Sequence, residues 1–190
     1  MLPPLLLQGR FFLHKIEGDD ILEVIDKLKF GKVIAMTTTH SLITIKKVDK
    51  GTESAKALLE FVQNFSWEAV KEHTVRVIEN WEFKEWESPF IATVDGQIVG
   101  MVTIMKSDYY PLPEIYPWIS TLFVSEEYRG RRISEKLIDF ANAYAKDVGF
   151  SSTYIPSEHI GLYEKYGYSY RKDIVNYGGE TDRLYVKELR

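Results

Sequence analysis

"VSEEYRGRRISEKLIDF", residues 124–140, joins the end of an apolar run to the start of a helical pattern through a turn with three arginines around one glycine. A strand that enters a glycine-containing turn and then a helix leaves several backbone N–H groups unpaired at the positive end of the helix dipole. An anion fits there, and Arg129, Arg131 and Arg132 add forked donors that suit phosphate oxygens. The stretch therefore predicts a phosphate-binding turn between a strand and a helix. The alternative is a solvated, basic helix N-terminus.

The segments on both sides of this turn have clear periodicities. Residues 117–124 (PWISTLFV) predict a buried strand, and residues 90–105 (FIATVDGQIVGMVTIM) predict a hairpin around Asp95–Gly96, a pair that tolerates positive φ in a tight turn. After the turn, one helical face carries the apolar residues up to Gly149. These residues are Ile133, Leu137, Ile138, Phe140, Ala141, Tyr144, Ala145 and Val148.

The rest of the chain adds elements in a simple order. It predicts a strand at 42–47, two helices within 52–80, a strand at 152–156, a short helix at 159–166, and a strand pair at 168–175 and 182–189. Ser66 is the expected N-cap of the second helix. Farther upstream, residues 19–30 have helical spacing and residues 32–36 resemble a strand. The order from residue 42 onward predicts one α/β domain with a mixed sheet.

Composition and charge exclude several classes of function. The 190-residue chain has a formal net charge of −4, which argues against a general nucleic-acid binder, because such a protein needs a broad basic surface. It has no cysteine, so disulfides and cysteine nucleophiles are impossible. The histidines lack metal-ligand spacing, and no metal is predicted. Without a run of ~18 apolar residues or a basic segment ahead of the apolar start, we expect a cytoplasmic protein with no membrane partner.

Two motifs carry a resemblance to a known family. The run LFVSEEYRGRRISEKLI, residues 122–138, is followed about two dozen residues later by LYEKYGY, residues 162–168. Together with the order of elements, they resemble the GNAT superfamily of N-acetyltransferases over roughly residues 40–190. The resemblance implies an α/β (α+β) fold with a mixed, mostly antiparallel central sheet flanked by helices. It assigns residues 37–190 to the acetyltransferase domain and residues 1–36 to an N-terminal extension.

The resemblance also implies where the cosubstrate acetyl-CoA binds. Family members carry R/Q-x-x-G-x-G/A after a strand that ends in valine, and its backbone amides hold the pyrophosphate. The six positions here are Arg129, Gly130, Arg131, Arg132, Ile133 and Ser134. Arg132 stands where the family has glycine and Ser134 where it has glycine or alanine, so the turn departs from the pattern twice. The strand residues Leu122, Phe123 and Val124 would pair with the pantetheine arm.

Candidate catalytic residues come from the same resemblance. The pattern Y-x-x-x-G-F/Y is met by Tyr163, Gly167 and Tyr168. Tyr163 would then be the phenol that protonates the departing thiol, and the alternative is a packed core aromatic. An amine acceptor also needs a base, since its ordinary pKa is ~10.4. Glu114 is the expected base, and the rival candidates are Asp108 and His159.

Aromatic and acidic residues alternate where the family forms its acceptor pocket. They lie in WEFKEWESPF, residues 81–90, and in YYPLPEIYPW, residues 109–118, with Asp108 just before the second segment. Aromatic faces and carboxylates suit a cationic amine. The predicted function is acetyl transfer from acetyl-CoA to a primary amine of a small molecule or a peptide by direct attack in a ternary complex. A non-catalytic CoA-binding regulatory module and a transferase for a longer acyl group are the alternatives, and a homodimer is left open.

Overall fold

The computed structural model describes residues 42–190. The predicted helix at 19–30, the strand at 32–36 and the extension over residues 1–36 lie outside these residues. The described strands are β1 (Ile43–Lys47), β2 (Ser88–Val94), β3 (Gln97–Met105), β4 (Trp118–Val124), β5 (Ser152–Ser157), β6 (Ser169–Val175) and β7 (Thr181–Glu188). The helices are α1 (Glu53–Gln63), α2 (Glu68–Glu79) and α3 (Ile133–Asp147), with single 3-10 turns at Glu126–Tyr128 and Tyr163–Tyr166. This order of elements is the predicted one.

The seven strands form one sheet in the order β1-β2-β3-β4-β5-β7-β6. Every neighbouring pair is antiparallel except β4 and β5, which are parallel. The predicted hairpin is β2–β3, and its turn residues Asp95 and Gly96 have φ of 49° and 84°. The sheet is therefore mixed and mostly antiparallel, which confirms the predicted fold class.

Helices cover both faces of the sheet because successive residues of a strand point to opposite faces. On β2, Phe90 packs in the cluster that contains Leu137 and Ile138 of α3, whereas Ile91 packs in the cluster that contains Leu58 of α1. All five side chains are buried almost completely. The central strands are consequently apolar on both faces, and this explains their near-continuous hydrophobic sequence.

Three local predictions need correction. Ser66 does not cap α2, because the N-cap residue is Trp67 and no side chain caps this helix. The helix expected at 159–166 is only the 3-10 turn Tyr163–Tyr166. Two residues assigned to the core face of α3 are largely exposed: Phe140 lies at the border of that face and Val148 follows the last helical residue.

Candidate active site

A gap opens in the sheet between β4 and β5. These strands pair only at Trp118↔Tyr154, where the Tyr154 N–H also donates to the carbonyl of Pro117 at 3.1 Å. Over residues 119–124, β4 has no strand partner on the β5 side among the described residues. The gap is part of a groove with a volume of about 2060 Å³. The sequence gives no signal for this opening, since it depends on how two distant strands diverge.

A bulge in β4 changes the direction of the strand beside the gap. Met101 of β3 pairs with Phe123 and Thr103 pairs with Ser120, so two residues of β4 lie opposite one residue of β3. One of the two, Thr121, has a φ of 47°, which few β-branched residues adopt. The predicted pantetheine contacts Leu122, Phe123 and Val124 follow directly and line the groove.

Gly100 on β3 permits the close approach of the two strands at this bulge. A Cβ atom on Gly100 would lie 2.9 Å from the carbonyl oxygen of Phe123, a distance that real Cβ atoms do not adopt. The ring of Phe123 itself faces away from α3, stacked on Phe65 of the α1 side with 4.1 Å between ring centroids. The bulge is thus fixed by packing on one side and by a glycine on the other.

The turn after β4 has the geometry of an anion site. Gly130 and Arg132 adopt left-handed conformations, with φ of 79° and 57°. Within the described chain, no group accepts a hydrogen bond from the backbone N–H groups of Gly130, Arg131 or Arg132, and the first N–H groups of α3 are free as in any helix. A Cβ on Gly130 would meet no atom within 4 Å, so the turn is open to a ligand.

The three arginines of the turn have different surroundings. The Nε of Arg129 donates to the carbonyl of Val124 at 3.1 Å, which ties the turn to the end of β4. The guanidinium of Arg131 lies over the Tyr128 ring, 5.1 Å from its centroid. Arg132 forms two bonds of 2.5 and 2.7 Å to Glu135. The Arg132 side chain is therefore directed toward α3 and does not fill the turn.

Arg132 replaces the family glycine without changing the backbone shape that glycine provides. The left-handed φ at this position is the conformation for which glycine carries no steric penalty. The hydrogen bond that Glu135 accepts from Arg132 is the main reason that the pKa of Glu135 lies below the ordinary value. The departure from the motif thus appears as backbone strain together with an exposed ion pair.

Tyr163 lines the groove from the second 3-10 turn. Its side chain is buried, at 7% exposure, and its ring packs 5.6 Å from that of Tyr185. Burial raises the pKa of the phenol, and a hydrogen bond with Ser157 opposes that rise. Gly167, with a φ of 83°, ends the turn as the motif predicts. Tyr163 is therefore a neutral phenol at physiological pH, and both Tyr163 and Ser157 line the groove.

Asp108, on the loop between β3 and β4, is a carboxylate that lines the groove. It accepts a very short hydrogen bond from the Ser120 hydroxyl and another from the Tyr109 N–H at 2.6 Å. Burial raises the pKa of Asp108, and the hydrogen bonds from Ser120 and Tyr109 partly oppose this effect. The charge of His73 lowers this pKa and the charge of Asp182 raises it, and both residues line the same groove.

The other two candidate bases, Glu114 and His159, are exposed. Glu114 is exposed and is not among the residues that line the groove, because the loop between β3 and β4 directs it outward. His159 is exposed at the rim, where its backbone N–H donates to Ser157 and its carbonyl accepts from Tyr185. Of the three candidates, only Asp108 is both shielded and inside the groove.

Further acidic residues converge on the same region without any sequence signal. Asp182 of β7 accepts a hydrogen bond of 2.6 Å from the Tyr110 hydroxyl, and both residues line the groove together with Glu180. Burial, followed by this bond and the charge of Asp182, raises the pKa of Tyr110 far above its ordinary value. Because more than 70 residues separate the partners, no local pattern could have found them.

The loop between α2 and β2 supplies the aromatic wall. Trp81, Phe83 and Trp86 line the groove, as the sequence predicts for this segment. Two residues of the loop, Trp81 and Glu85, have left-handed φ of 52° and 50°. One carboxylate fixes the loop: Glu87 accepts from the N–H of Lys84 and from the N–H of Lys106, both at 2.8 Å. Glu87 thereby joins this wall to the loop that carries Asp108.

The part of the chain that the structure describes, residues 42–190, contains neither a metal-binding group nor a membrane-spanning helix. No group of three or more histidine, aspartate or glutamate side chains in this part could hold a metal ion. None of its helices is long and apolar enough to cross a membrane.

Comparison with known proteins identifies the class. The model of the acetyltransferase (GNAT) family matches residues 55–168, from α1 to the end of the Tyr163 motif. The match covers more than half of the chain and therefore assigns the protein to this family of enzymes, which are acyltransferases. It belongs to the acetyltransferase (GNAT) family, which confirms the predicted family and enzyme class, with acetyl-CoA as cosubstrate. Comparison of the sequence with curated proteins gave no significant match.

Solved structures share this fold at low sequence identity. An aminoglycoside 6'-acetyltransferase type Ii has a TM-score of 0.62 and 16% identity, and the match covers 77% of this chain and 97% of that chain. The N-acetyltransferase YhbS from Escherichia coli, in complex with CoA, gives 0.59 and 18%, covering 81% and 85%. An Elizabethkingia anophelis acetyltransferase with acetyl-CoA bound gives 0.51 and 19%, covering 77% and 98%.

Proposed function

We propose that this protein transfers an acetyl group from acetyl-CoA to a primary amine by direct attack within a ternary complex. The observation that carries the proposal is that the anion-binding turn, the unpaired edge of β4, Tyr163 and Asp108 all border one groove. This combination accommodates a long phosphorylated thioester and, beside its reacting end, a separate acceptor.

The groove fits the donor along its length. At one end, the free N–H groups of the turn and the nearby arginines suit a diphosphate. Along the gap, the backbone groups of β4 that face away from β3 suit the amide groups of a pantetheine arm, since they have no strand partner there. When bound, acetyl-CoA supplies the acetyl carbon that the amine attacks and the thiol that leaves.

Tyr163 and Asp108 divide the proton transfers between them. The carbon–sulfur bond breaks as the carbon–nitrogen bond forms, and Tyr163 gives its hydrogen to the departing sulfur. Burial keeps this phenol protonated, so it holds a hydrogen for the departing sulfur, whose thiol has an ordinary pKa of ~8.5. Tyr163 regains a proton from solvent after the thiol leaves. Asp108 takes a proton from the attacking amine, directly or through water. We favour Asp108 over the sequence candidate Glu114 because Glu114 is exposed outside the groove.

The acceptor half favours a cationic amine. Asp108, Asp182 and Glu180 give this region negative charge, and aromatic side chains from the loop of residues 81–87 form its wall. Carboxylates and aromatic faces both stabilise an ammonium group before it loses its proton. One solved structure that shares the fold is named an aminoglycoside 6'-acetyltransferase, and this likeness makes aminoglycosides and other cationic small molecules the first acceptors to test.

The test is thiol release from acetyl-CoA in the presence of a panel of primary amines, with mass spectrometry of the products and of the protein. We expect acetylation of at least one cationic amine and no acetyl group on the protein, because a chain without cysteine lacks the strongest acyl acceptor. Binding of CoA without turnover above the uncatalysed rate would instead support the CoA-binding regulatory module. A stable acetyl-protein would contradict direct attack.

A further inference from the structure

A pair of hydroxyl groups links the phosphate-binding turn to the segment that carries Tyr163. The Oγ of Ser134 and the phenol oxygen of Tyr166 are 2.9 Å apart, and either atom can be the donor. Ser134 belongs to the first turn of α3 and lines the groove. Tyr166 is the last residue of the 3-10 turn Tyr163–Tyr166, and its side chain is half-buried behind Ser134 and does not line the groove.

Counting hydrogens shows what this pair can do when a phosphate is present. Each hydroxyl has one hydrogen and can also accept. Ser134 can give its hydrogen to a phosphate oxygen only if Tyr166 supplies the hydrogen of the Ser134–Tyr166 bond. Among residues 42–190, no other group accepts from the Tyr166 hydroxyl, so its hydrogen is free for Ser134. The phenol is also the better donor, since it is more acidic than an alkyl alcohol.

We infer that Tyr166 belongs to the diphosphate site as a positioning residue that acts through Ser134. Tyr166 donates to Ser134, and Ser134 donates to a diphosphate oxygen of CoA. Glycine or alanine, the family residues at position 134, cannot form this chain. The inference rests on the proposed function, because it needs CoA to occupy the groove with its diphosphate at the turn.

A second contact holds Tyr166 in place for this role. The ammonium group of Lys187 on β7 donates to the carbonyl of Tyr166 at 2.8 Å and lies 3.6 Å from Asp139 of α3. The 3-10 turn is thus joined to α3 at two points, once through Ser134 and once through Lys187. Because both ends of the hydroxyl pair are fixed, the Ser134 oxygen has a defined position before a ligand binds, which reduces the entropy lost on binding.

The test is calorimetric binding of CoA to the full chain and its variants. Ser134→Ala should weaken CoA binding about ten-fold, as expected for a lost hydrogen bond to a charged group. Tyr166→Phe should weaken it about three-fold, because a polarised serine hydroxyl is a better donor than an isolated one. Ser134→Thr keeps the hydroxyl and should keep most of the affinity. Tyr116→Phe removes an exposed phenol outside the groove and should change nothing.

The double variant separates this role from simple packing. If Tyr166 acts only through Ser134, Ser134→Ala combined with Tyr166→Phe binds CoA no more weakly than Ser134→Ala alone. Additive losses, or full affinity in Tyr166→Phe, would overturn the inference while leaving the proposed function intact. If the unaltered protein itself binds no CoA, the proposed function fails first, and this inference fails with it.

Discussion

Tyr163 and Tyr168 show how similar residues take different roles through their neighbours. Both are buried tyrosines of one motif, and burial raises the pKa of both. The Tyr168 hydroxyl is surrounded by protein, since it bonds to Asn142 at 2.8 Å and lies 2.9 Å from the Thr153 hydroxyl. Tyr163 borders the groove instead. The two hydroxyls can therefore be compared directly, one as the proposed proton donor and the other as part of the core.

Tyr163→Phe should lower kcat about 10²–10⁴-fold, the usual contribution of a general acid, while the ring keeps its packing. Melting temperature and CoA affinity should stay close to those of the unaltered protein. Steady-state kinetics, thermal denaturation and calorimetry on one preparation provide the measurement.

Tyr168→Phe is the matched control for that variant. It leaves a buried Asn142 oxygen with one partner fewer, which costs about 1–3 kcal/mol of unfolding free energy. Its melting temperature should therefore fall while kcat per folded molecule is retained. If Tyr163→Phe behaves like this control, Tyr163 is a packing residue and not the acid.

The raised pKa of Asp108 gives a pH prediction with a definite sign. The base must be ionised to accept a proton, so kcat/KM falls as pH drops through its pKa. Because burial raises this pKa above the ordinary carboxyl value, the fall should occur at a higher pH than for an exposed aspartate. Asp108→Asn should remove this limb of the profile and lower kcat about 10²–10⁴-fold. The measurement is kcat/KM against pH with an amine found in the panel.

Glu114→Gln tests the alternative that the sequence favoured. It makes the same change of charge on an exposed side chain outside the groove and should leave the profile unchanged. Loss of the acidic limb in Glu114→Gln and its retention in Asp108→Asn would reverse the assignment of the base.

At the scale of elements, the turn between β4 and α3 has the shape of its family motif with a residue that the motif does not contain. Arg132 holds a left-handed conformation that glycine adopts without cost. Arg132→Gly should consequently raise the melting temperature by about 2–4 °C, the effect of one favourable backbone change in a domain of this size. Differential scanning calorimetry without ligand measures this shift.

Arg131→Gly is the comparison, because Arg131 is the neighbour that lacks a positive φ. There, glycine only adds freedom to the unfolded chain and should lower the melting temperature. Equal shifts in the two variants would mean that the loss of a positive charge matters more than the backbone.

The loop between α2 and β2 depends on one carboxylate. Glu87→Gln has a single acceptor oxygen in place of two and cannot bond well to both Lys84 and Lys106. We expect KM for the acceptor to rise about 5- to 10-fold, as for a lost hydrogen bond of about 1 kcal/mol or more, with CoA affinity unchanged. Initial rates at varied acceptor concentration measure it.

Glu79→Gln is the control for this variant, since it makes the same change at an exposed residue that lies just before the loop and outside the groove. It should leave KM for the acceptor unchanged. An equal rise in both variants would mean that the charge near the loop, and not the Glu87 bonds, governs acceptor binding.

For the whole molecule, the sequence predicted what depends on neighbouring residues. The Asp95–Gly96 turn, the apolar face that includes Leu137 and Ile138, and the order of elements along the chain all follow from local periodicity and turn chemistry. The motif residues that line the groove are Arg129, Gly130, Arg132, Ile133, Ser134 and Tyr163, whereas Arg131 does not line it. Ser66 failed as a cap because cap residues alone do not specify where a helix begins.

Features that depend on distant segments could not be predicted. The bulge at Thr121 arises from the register of β4 on β3, and no pattern within β4 marks it. The bond between Tyr110 and Asp182 requires β7 to lie close to the β3–β4 loop. The choice between Asp108 and Glu114 as the base depends on the path of that loop, which propensities do not determine.

The single pairing of Trp118 with Tyr154 has a consequence for cooperativity. With so few bonds across it, the gap divides the sheet into two groups of strands, β1 to β4 and β5 to β7, that can open as separate units. A ligand whose arm bonds to β4 should raise the free energy of local opening beside the gap. We expect hydrogen exchange of β4 and β5 amides to slow when CoA binds, while amides of the β1–β2 pair change little.

Exchange measured by mass spectrometry with and without CoA distinguishes this behaviour from uniform stabilisation. Equal slowing in every strand would mean that the sheet opens only as a whole and would contradict the division. Localised slowing would mean that bound cosubstrate contributes part of the cooperativity with which the sheet unfolds. Its resistance to proteolysis would then track the cellular ratio of acyl-CoA to protein, so that metabolic supply would influence how long each molecule survives.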